Sequence, residues 1–459
     1  MAEKTFKKDL TEGSVSKGLL MFALPLFASN ILQVVYNLVD MVVVGQVMGK
    51  IGMSGVSIGG DIFNFITALA MGFCGAAQII IAQNVGAKRM EDVKKIIGTL
   101  FTFLFIFGLA VMISCWLLRF KALELLQTPT ESYDQAYAYT VTCIFGILFV
   151  YGYNAVSAIL RGLGDSKRPF TFIAIAAIAN GVLDVLFVAV FKWGAFGAAL
   201  ATVIGQGASF IFSIIYLYKR KESFGFDFKL SSFGISKVHF KSLISLGIPM
   251  CIQYAAINFS RIVVARWING FGVTPSAVAG VFNKSSQIVS LFANAIFTAG
   301  GAMVGQNIGA EKYDRVQKIL LTAICCMAIT DLVLMGILNL FPDAIFGMFT
   351  KDLDVITAAH AIIYPLNIFM LSGIGRTPSF CLINGSGNSK LNLIIALIDG
   401  FAARIGLSYL FAFVFDMGAR GCWIGDAYAG FVPLIVGVIY YLSGKWKTNK
   451  YLLKRQIGK

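Results

Sequence analysis

The chain has 459 residues, 58% of them hydrophobic and only 13% charged, where a soluble domain carries about 25% charge. Its apolar residues come in blocks of roughly 20–28, the length a helix needs to cross a ~30 Å hydrocarbon core. That makes it a polytopic membrane protein, and the net charge of +15 is then a matter of topology, with no nucleic acid as partner.

In chain order, the blocks predict twelve spans, near 18–45, 54–82, 93–118, 134–160, 169–191, 193–217, 242–268, 277–305, 317–341, 355–383, 391–414 and 420–443. The polar stretch "MAEKTFKKDLTEGSVSKG" ahead of the first does not resemble a cleaved signal peptide, so that span is expected to stay. An even number of spans places both termini on one side. The termini and the loops after even-numbered spans carry 27 basic residues, the opposite loops only 6. Enrichment of Lys and Arg inside puts both termini in the cytoplasm of a cell (inner or plasma) membrane. The basic tail "SGKWKTNKYLLKRQIGK" and the central loop are also suited to contact anionic lipid. The eight Cys and two His have no metal-ligand spacing, so neither a disulfide framework nor a zinc or haem site is expected.

Span 1 carries Gln33, Tyr36 and Asp40 on one helix face, at i−7 and i−4 from the Asp. Span 5 reads "AIANGVLDVLFVAVF", with Asp184 in an apolar run and Asn180 one turn earlier. A carboxylate at mid-membrane costs about 2.5–3.5 kcal/mol on insertion scales, so it calls for a partner. Counted from the outer ends of their spans, Asp40, Asp184 and Thr202 of span 6 reach similar depth. Two carboxylates in one weakly solvated pocket cannot both stay ionised without a counter-charge. A proton, or a Na⁺ held by carboxylate, amide and hydroxyl oxygens, resolves the conflict. Asp40, Asn180, Asp184 and Thr202 offer that ligand set, with no other metal and no cofactor implied.

Residues 82–96, "AQNVGAKRMEDVKKI", return at 305–319 as "GQNIGAEKYDRVQKI". The same offset of 223 maps "GLGDSK" onto "GSGNSK", and an offset of 224 maps "WGAFG" onto "MGARG" and Pro25 onto Pro249. The chain is therefore expected to be two six-span bundles, 1–222 and 236–459, joined by a cytoplasmic linker at 223–235 and flanking a central cleft. "GLGDSK" lacks Walker spacing and reads as a turn between spans. The second half departs from the first: Asp40 and Asp184 meet Val264 and Leu407 or Ser408. Its membrane charges are mostly basic, namely Arg261, Arg266, Lys284, Arg376 and Arg404 against Asp331, Asp399 and Asp426. Ion pairs of Arg404 with Asp399 or Asp426 are one reading. The other has Arg261, Arg266 or Lys284 facing the cleft and favouring an anionic or zwitterionic cargo.

"PLFASNILQVVYNLVDMVVVGQVMG", the repeated "AQNVGAKRMEDVKK" and "RGLGDSKRP" resemble the multidrug and toxic compound extrusion (MATE) family over essentially the whole chain. The Asp of span 1 with the Asn and Asp of span 5 is similar to its prokaryotic DNA-damage-inducible branch. The resemblance implies an all-α antiporter, not an enzyme, exporting a range of drugs, small organic compounds that are usually cationic, in exchange for Na⁺ or H⁺. It also implies a monomer whose cation site is Asp40, Asn180, Asp184 and Thr202. Gln33, Tyr36 and Asn154 match the nearby polar positions, and Pro25 the proline at which span 1 bends. A lipid-linked oligosaccharide flippase shares the wider fold and is the competing reading. No convergent His, Cys or Ser set suggests an enzyme, and no repeated filter loop suggests a channel.

Overall fold

A computed structural model describes residues 9–221 and 226–447, so most of the basic tail and part of the linker lie outside the described residues. Among those described, eleven helices are long and apolar enough to cross a membrane. They are α1 (Val15–Gly86), α2 (Met90–Leu125), α3 (Thr130–Gly162), α4 (Lys167–Val190), α5 (Gly194–Lys219), α6 (Lys237–Gly270), α7 (Val273–Gly309), α8 (Tyr313–Leu340), α9 (Leu353–Gly385), α10 (Ser389–Val414) and α11 (Gly418–Leu442). With 72 residues, α1 is far too long for one crossing, and its backbone leaves helical geometry at Gly49 (φ 62°, ψ −157°). It therefore supplies two crossings, which gives the twelve spans expected. Helices are what lipid demands, because each backbone N–H and C=O must be satisfied within its own segment.

The duplication is written into the backbone. Left-handed residues recur at the sequence offset: Gly49 with Gly272, Lys88 with Glu311, Gly164 with Gly387, Lys192 with Asp416, and Gly194 with Gly418. In the α3–α4 turn Gly164 (φ 89°) is followed by Asp165, whose carboxylate accepts from the Lys167 amide at 3.0 Å. In the α9–α10 turn Gly387 (φ 71°) is followed by Asn388, which accepts from the Leu391 amide at 3.3 Å. "GLGDSK" and "GSGNSK" are thus matching helix starts, in which glycine takes the left-handed step and a side-chain oxygen satisfies a free amide.

The chain resolves into two compact units: Ala28–Val85 with Arg89–Ile244, and Asp9–Phe27 with Gly86–Lys88 and Ser245–Lys459. The start of α1 thus groups with the second half, where the sequence division at 222 and 236 assigns it to the first. In the first unit α3 and α4 both pack on α5, and the linker returns to α2, where Ser236 N donates to Thr99 Oγ1 at 3.1 Å. In the second unit α9 packs against α7 and α8. There Leu19, Phe22, Ala23 and Leu26 of α1 are buried with Ile296, Ala299 and Met303 of α7.

The segment before α1 is tied down by the second copy of the repeated motif. Arg315 donates to the carbonyls of Gly13 at 2.9 Å, Glu12 at 3.1 Å and Leu10 at 3.4 Å. Gln306 accepts from the Leu10 amide at 3.2 Å, and Lys312 donates to the Thr11 carbonyl at 3.0 Å. Hydrogen bonds to a charged donor contribute about 1.5–3 kcal/mol each. Arg315→Ala should therefore speed hydrogen exchange at the Leu10 amide by about tenfold or more, with α8 amides unchanged. Equal protection in both proteins would mean that Arg315 is not what holds the segment.

Candidate functional site

The polar groups of the first unit come from four helices. α1 brings Tyr36 and Asp40, α3 Tyr139 and Cys143, α4 Asn180 and Asp184, and α5 Thr202, Gly205 and Gln206. Asn180 Nδ2 donates to Thr202 Oγ1 at 3.3 Å, which ties α4 to α5. Gly205 makes that approach possible, since a Cβ there would stand 3.0 Å from the Ala176 carbonyl oxygen and 3.3 Å from Asn180 Cβ. Tyr139 is buried. Tyr36, Ala176, Ala177, Asn180, Thr202, Gly205 and Gln206 line a small cavity.

Immediately after Asp184, α4 changes from α- to π-helical winding over Val185–Val190. A π segment inserts an extra residue per turn and re-aims the side chains beside it, and such segments concentrate at functional sites. The second half repeats this at Leu410–Val414. It adds another at Ile398–Ile405, which contains Asp399 and Arg404.

The oxygens of the first-unit cluster lack donors. Asp184 is completely buried, and neither of its carboxylate oxygens accepts a hydrogen bond. Asn180 Oδ1 and Asp40 Oδ1 are buried and equally without a donor. Asp184 lies in the electrostatic field of Asp40, as do Tyr36, Tyr139 and Cys143. Buried acceptors in native proteins nearly always find a donor or an ion, and an isolated buried carboxylate is among the costliest groups to leave bare. These four oxygen acceptors come from two helices, and the two acids lie in each other's field, although neither lines the cavity; such oxygens have the chemistry to take a proton or a hard cation. Among the described residues no three His, Cys, Asp or Glu side chains converge on a metal position, so any bound ion would rely on the amide and hydroxyl as well.

The other expected positions fall differently. Asn154 donates to the Val150 carbonyl of its own helix at 2.8 Å and does not line the cavity. Gln33 is exposed. Pro25 lies inside α1, which runs through it as helix, in the part that packs with the second unit. Tyr139 and Cys143 went unnoticed in the sequence; their i, i+4 spacing on one face is the signal that would have found them.

In the second unit Arg404 sits between two acids. Its Nη2 is 3.0 Å from Asp399 Oδ1, while Nη1 pairs with the Asp426 carboxylate and lies 3.3 Å from the Asp426 carbonyl. All three side chains are buried. Arg261, Arg266 and Lys284 are exposed.

A protein-family model, MatE, matches this chain twice, over residues 25–186 and 249–410, in step with the internal repeat. The probable multidrug resistance protein YoeA of Bacillus subtilis is 28% identical over 443 residues, covering 95% of both chains. The probable multidrug resistance protein YpnP of the same organism is 27% identical, covering 97% of this chain and 99% of the relative. Among solved structures, an outward-facing multidrug resistance MATE transporter of the MOP superfamily shares the fold with a TM-score of 0.89 at 21% identity, covering 97% of this chain and 98% of that one.

Proposed function

Because the chain belongs to the MatE family and is a multi-pass membrane transporter, not an enzyme, we propose that it is a secondary antiporter. It exports small organic compounds in exchange for Na⁺ or H⁺ by alternating access. Both termini face the cytoplasm, in keeping with the 27 to 6 distribution of basic residues. The coupling ion binds at Asp40, Asn180, Asp184 and Thr202. The observation that carries this reading is the set of buried oxygens on Asp40, Asn180 and Asp184 that accept no hydrogen bond. The names of YoeA and YpnP, as probable multidrug resistance proteins, support the organic cargo.

Coupling requires that the ion bind the inward- and outward-open states with different affinity, since equal affinity shifts nothing. A site built from α1, α4 and α5 suits that requirement, because a change in any one helix alters the coordination. The test is uptake of ethidium by liposomes holding the purified protein, with Na⁺ and proton gradients imposed independently. Dye movement should follow one of the two gradients. Movement driven by neither, or flipping of labelled lipid in place of dye transport, would sink the proposal.

A further inference from the structure

The membrane helices of the second unit hold Arg261, Arg266, Lys284, Arg376 and Arg404 against Asp331, Asp399 and Asp426, an excess of positive charge. Arg404 pairs with one oxygen of each of Asp399 and Asp426. Asp331 is fully buried and accepts no hydrogen bond. Arg261 and Arg376 therefore form no ion pair within 4 Å among the described residues.

These two guanidiniums belong to one neighbourhood. α6 and α10 meet closely where a Cβ on Gly400 would stand 3.0 Å from Ala256 Cβ. A little over one turn further on, α6 carries Arg261 and α10 carries Arg404. Arg261 lies in the fields of Asp426, Arg404 and Asp399 and is nevertheless exposed. Arg376 on α9 stacks over the Phe369 ring at 4.5 Å. Its Nη1 stands 2.9 Å from where a Cβ would lie on Gly430, and its Nη2 3.8 Å from where one would lie on Gly373, a point 3.0 Å from Asp331 Oδ2, so glycine backbone makes its slot and Asp331 flanks it. Gly430 is one turn beyond Asp426 on α11, so Arg376 stands beside the Arg404–Asp426 pair, and it lies in the field of Arg261 as well.

A guanidinium has five N–H donors in a planar fork that matches carboxylate, sulfonate or phosphate oxygens. Two such forks in membrane helices, Arg261 unpaired and Arg376 with only the unpaired carboxylate of Asp331 close by, are costly unless a further acceptor arrives. We propose that Arg261 and Arg376 form a docking site for an anionic group on the exported compound, which makes amphipathic organic anions or zwitterions part of its cargo. This rests on the export reading above for the word cargo, but not for the binding itself.

Fluorescence anisotropy of carboxyfluorescein with detergent-purified full-length protein tests it. Saturable binding is expected, weakened at least about tenfold by Arg261→Gln and by Arg376→Gln, because each removes a charge-assisted donor pair. Arg261→Lys keeps the charge without the fork and should fall between. Since Arg261 is exposed, its variants should fold, and an unchanged melting temperature checks this. No saturable binding to the parent, or binding indifferent to both Gln variants, overturns the proposal. Ethidium exchange in liposomes is scored separately. Its absence alongside intact anion binding would count against antiport and leave the docking site standing.

Discussion

Asp184→Asn should abolish cation-driven export while the purified protein melts at the same temperature as the parent or higher. Asparagine keeps the shape and an acceptor oxygen but removes the charge, and the parent carboxylate is fully buried without a hydrogen bond. Leaving such an ion unpaired costs several kcal/mol, so neutralising it relieves the fold. The same change removes the attraction that a proton or Na⁺ would feel. A ligand that binds only the folded state raises stability by about 2.7 kcal/mol at one hundred times its Kd. The parent should therefore gain melting temperature on titration with the coupling ion, and Asp184→Asn should not. Asp40→Asn should behave likewise. If one ion serves both carboxylates, the double variant should lose little beyond either single one, a departure from additivity of about 0.5–3 kcal/mol. Undiminished export by both single variants would remove these residues from coupling.

Arg404→Ala should be the most destabilising single change in the second unit. It strands the buried carboxylates of Asp399 and Asp426, which now share one guanidinium. Breaking a buried ion pair by removing one partner costs about 3–5 kcal/mol, most of it the penalty of the charge left behind. Neutralising all three positions together, as Arg404→Met with Asp399→Asn and Asp426→Asn, should recover much of that loss. Thermal unfolding in detergent measures both. If the triple variant melts as low as Arg404→Ala, the cost lies in lost packing around the π segment and not in stranded charge.

The triad shows what a sequence can and cannot reach. Asp399 and Arg404 are five apart, a spacing that ordinary helical winding does not place on one face. Ile398–Ile405 is π-wound, and within it Arg404 reaches Asp399 and Asp426 at once. Sequence reading had to choose between Asp399 and Asp426, and the structure has both. Similarly, depth counted along separate helices brings Asp40, Asp184 and Thr202 to one level, yet says nothing of which way each side chain turns. In helices apolar on nearly every face, the hydrophobic pattern carries little rotational information.

The membrane class, the crossings and the duplication were determined by the sequence alone. Hydropathy runs are local, the cost of an unpaired backbone group in lipid leaves only helix to form, and a repeat offset survives in residue identities and left-handed turns alike. The two acids were equally legible, because any charge in an apolar run is conspicuous. Only the tertiary structure decided which groups meet: Asn180 with Thr202, Gly205 against Asn180, and Arg376 over Phe369. It also grouped Asp9–Phe27 with the second unit. Those choices depend on helix rotation, π winding and bare glycine surfaces, and these are settled by the packing of remote segments against each other.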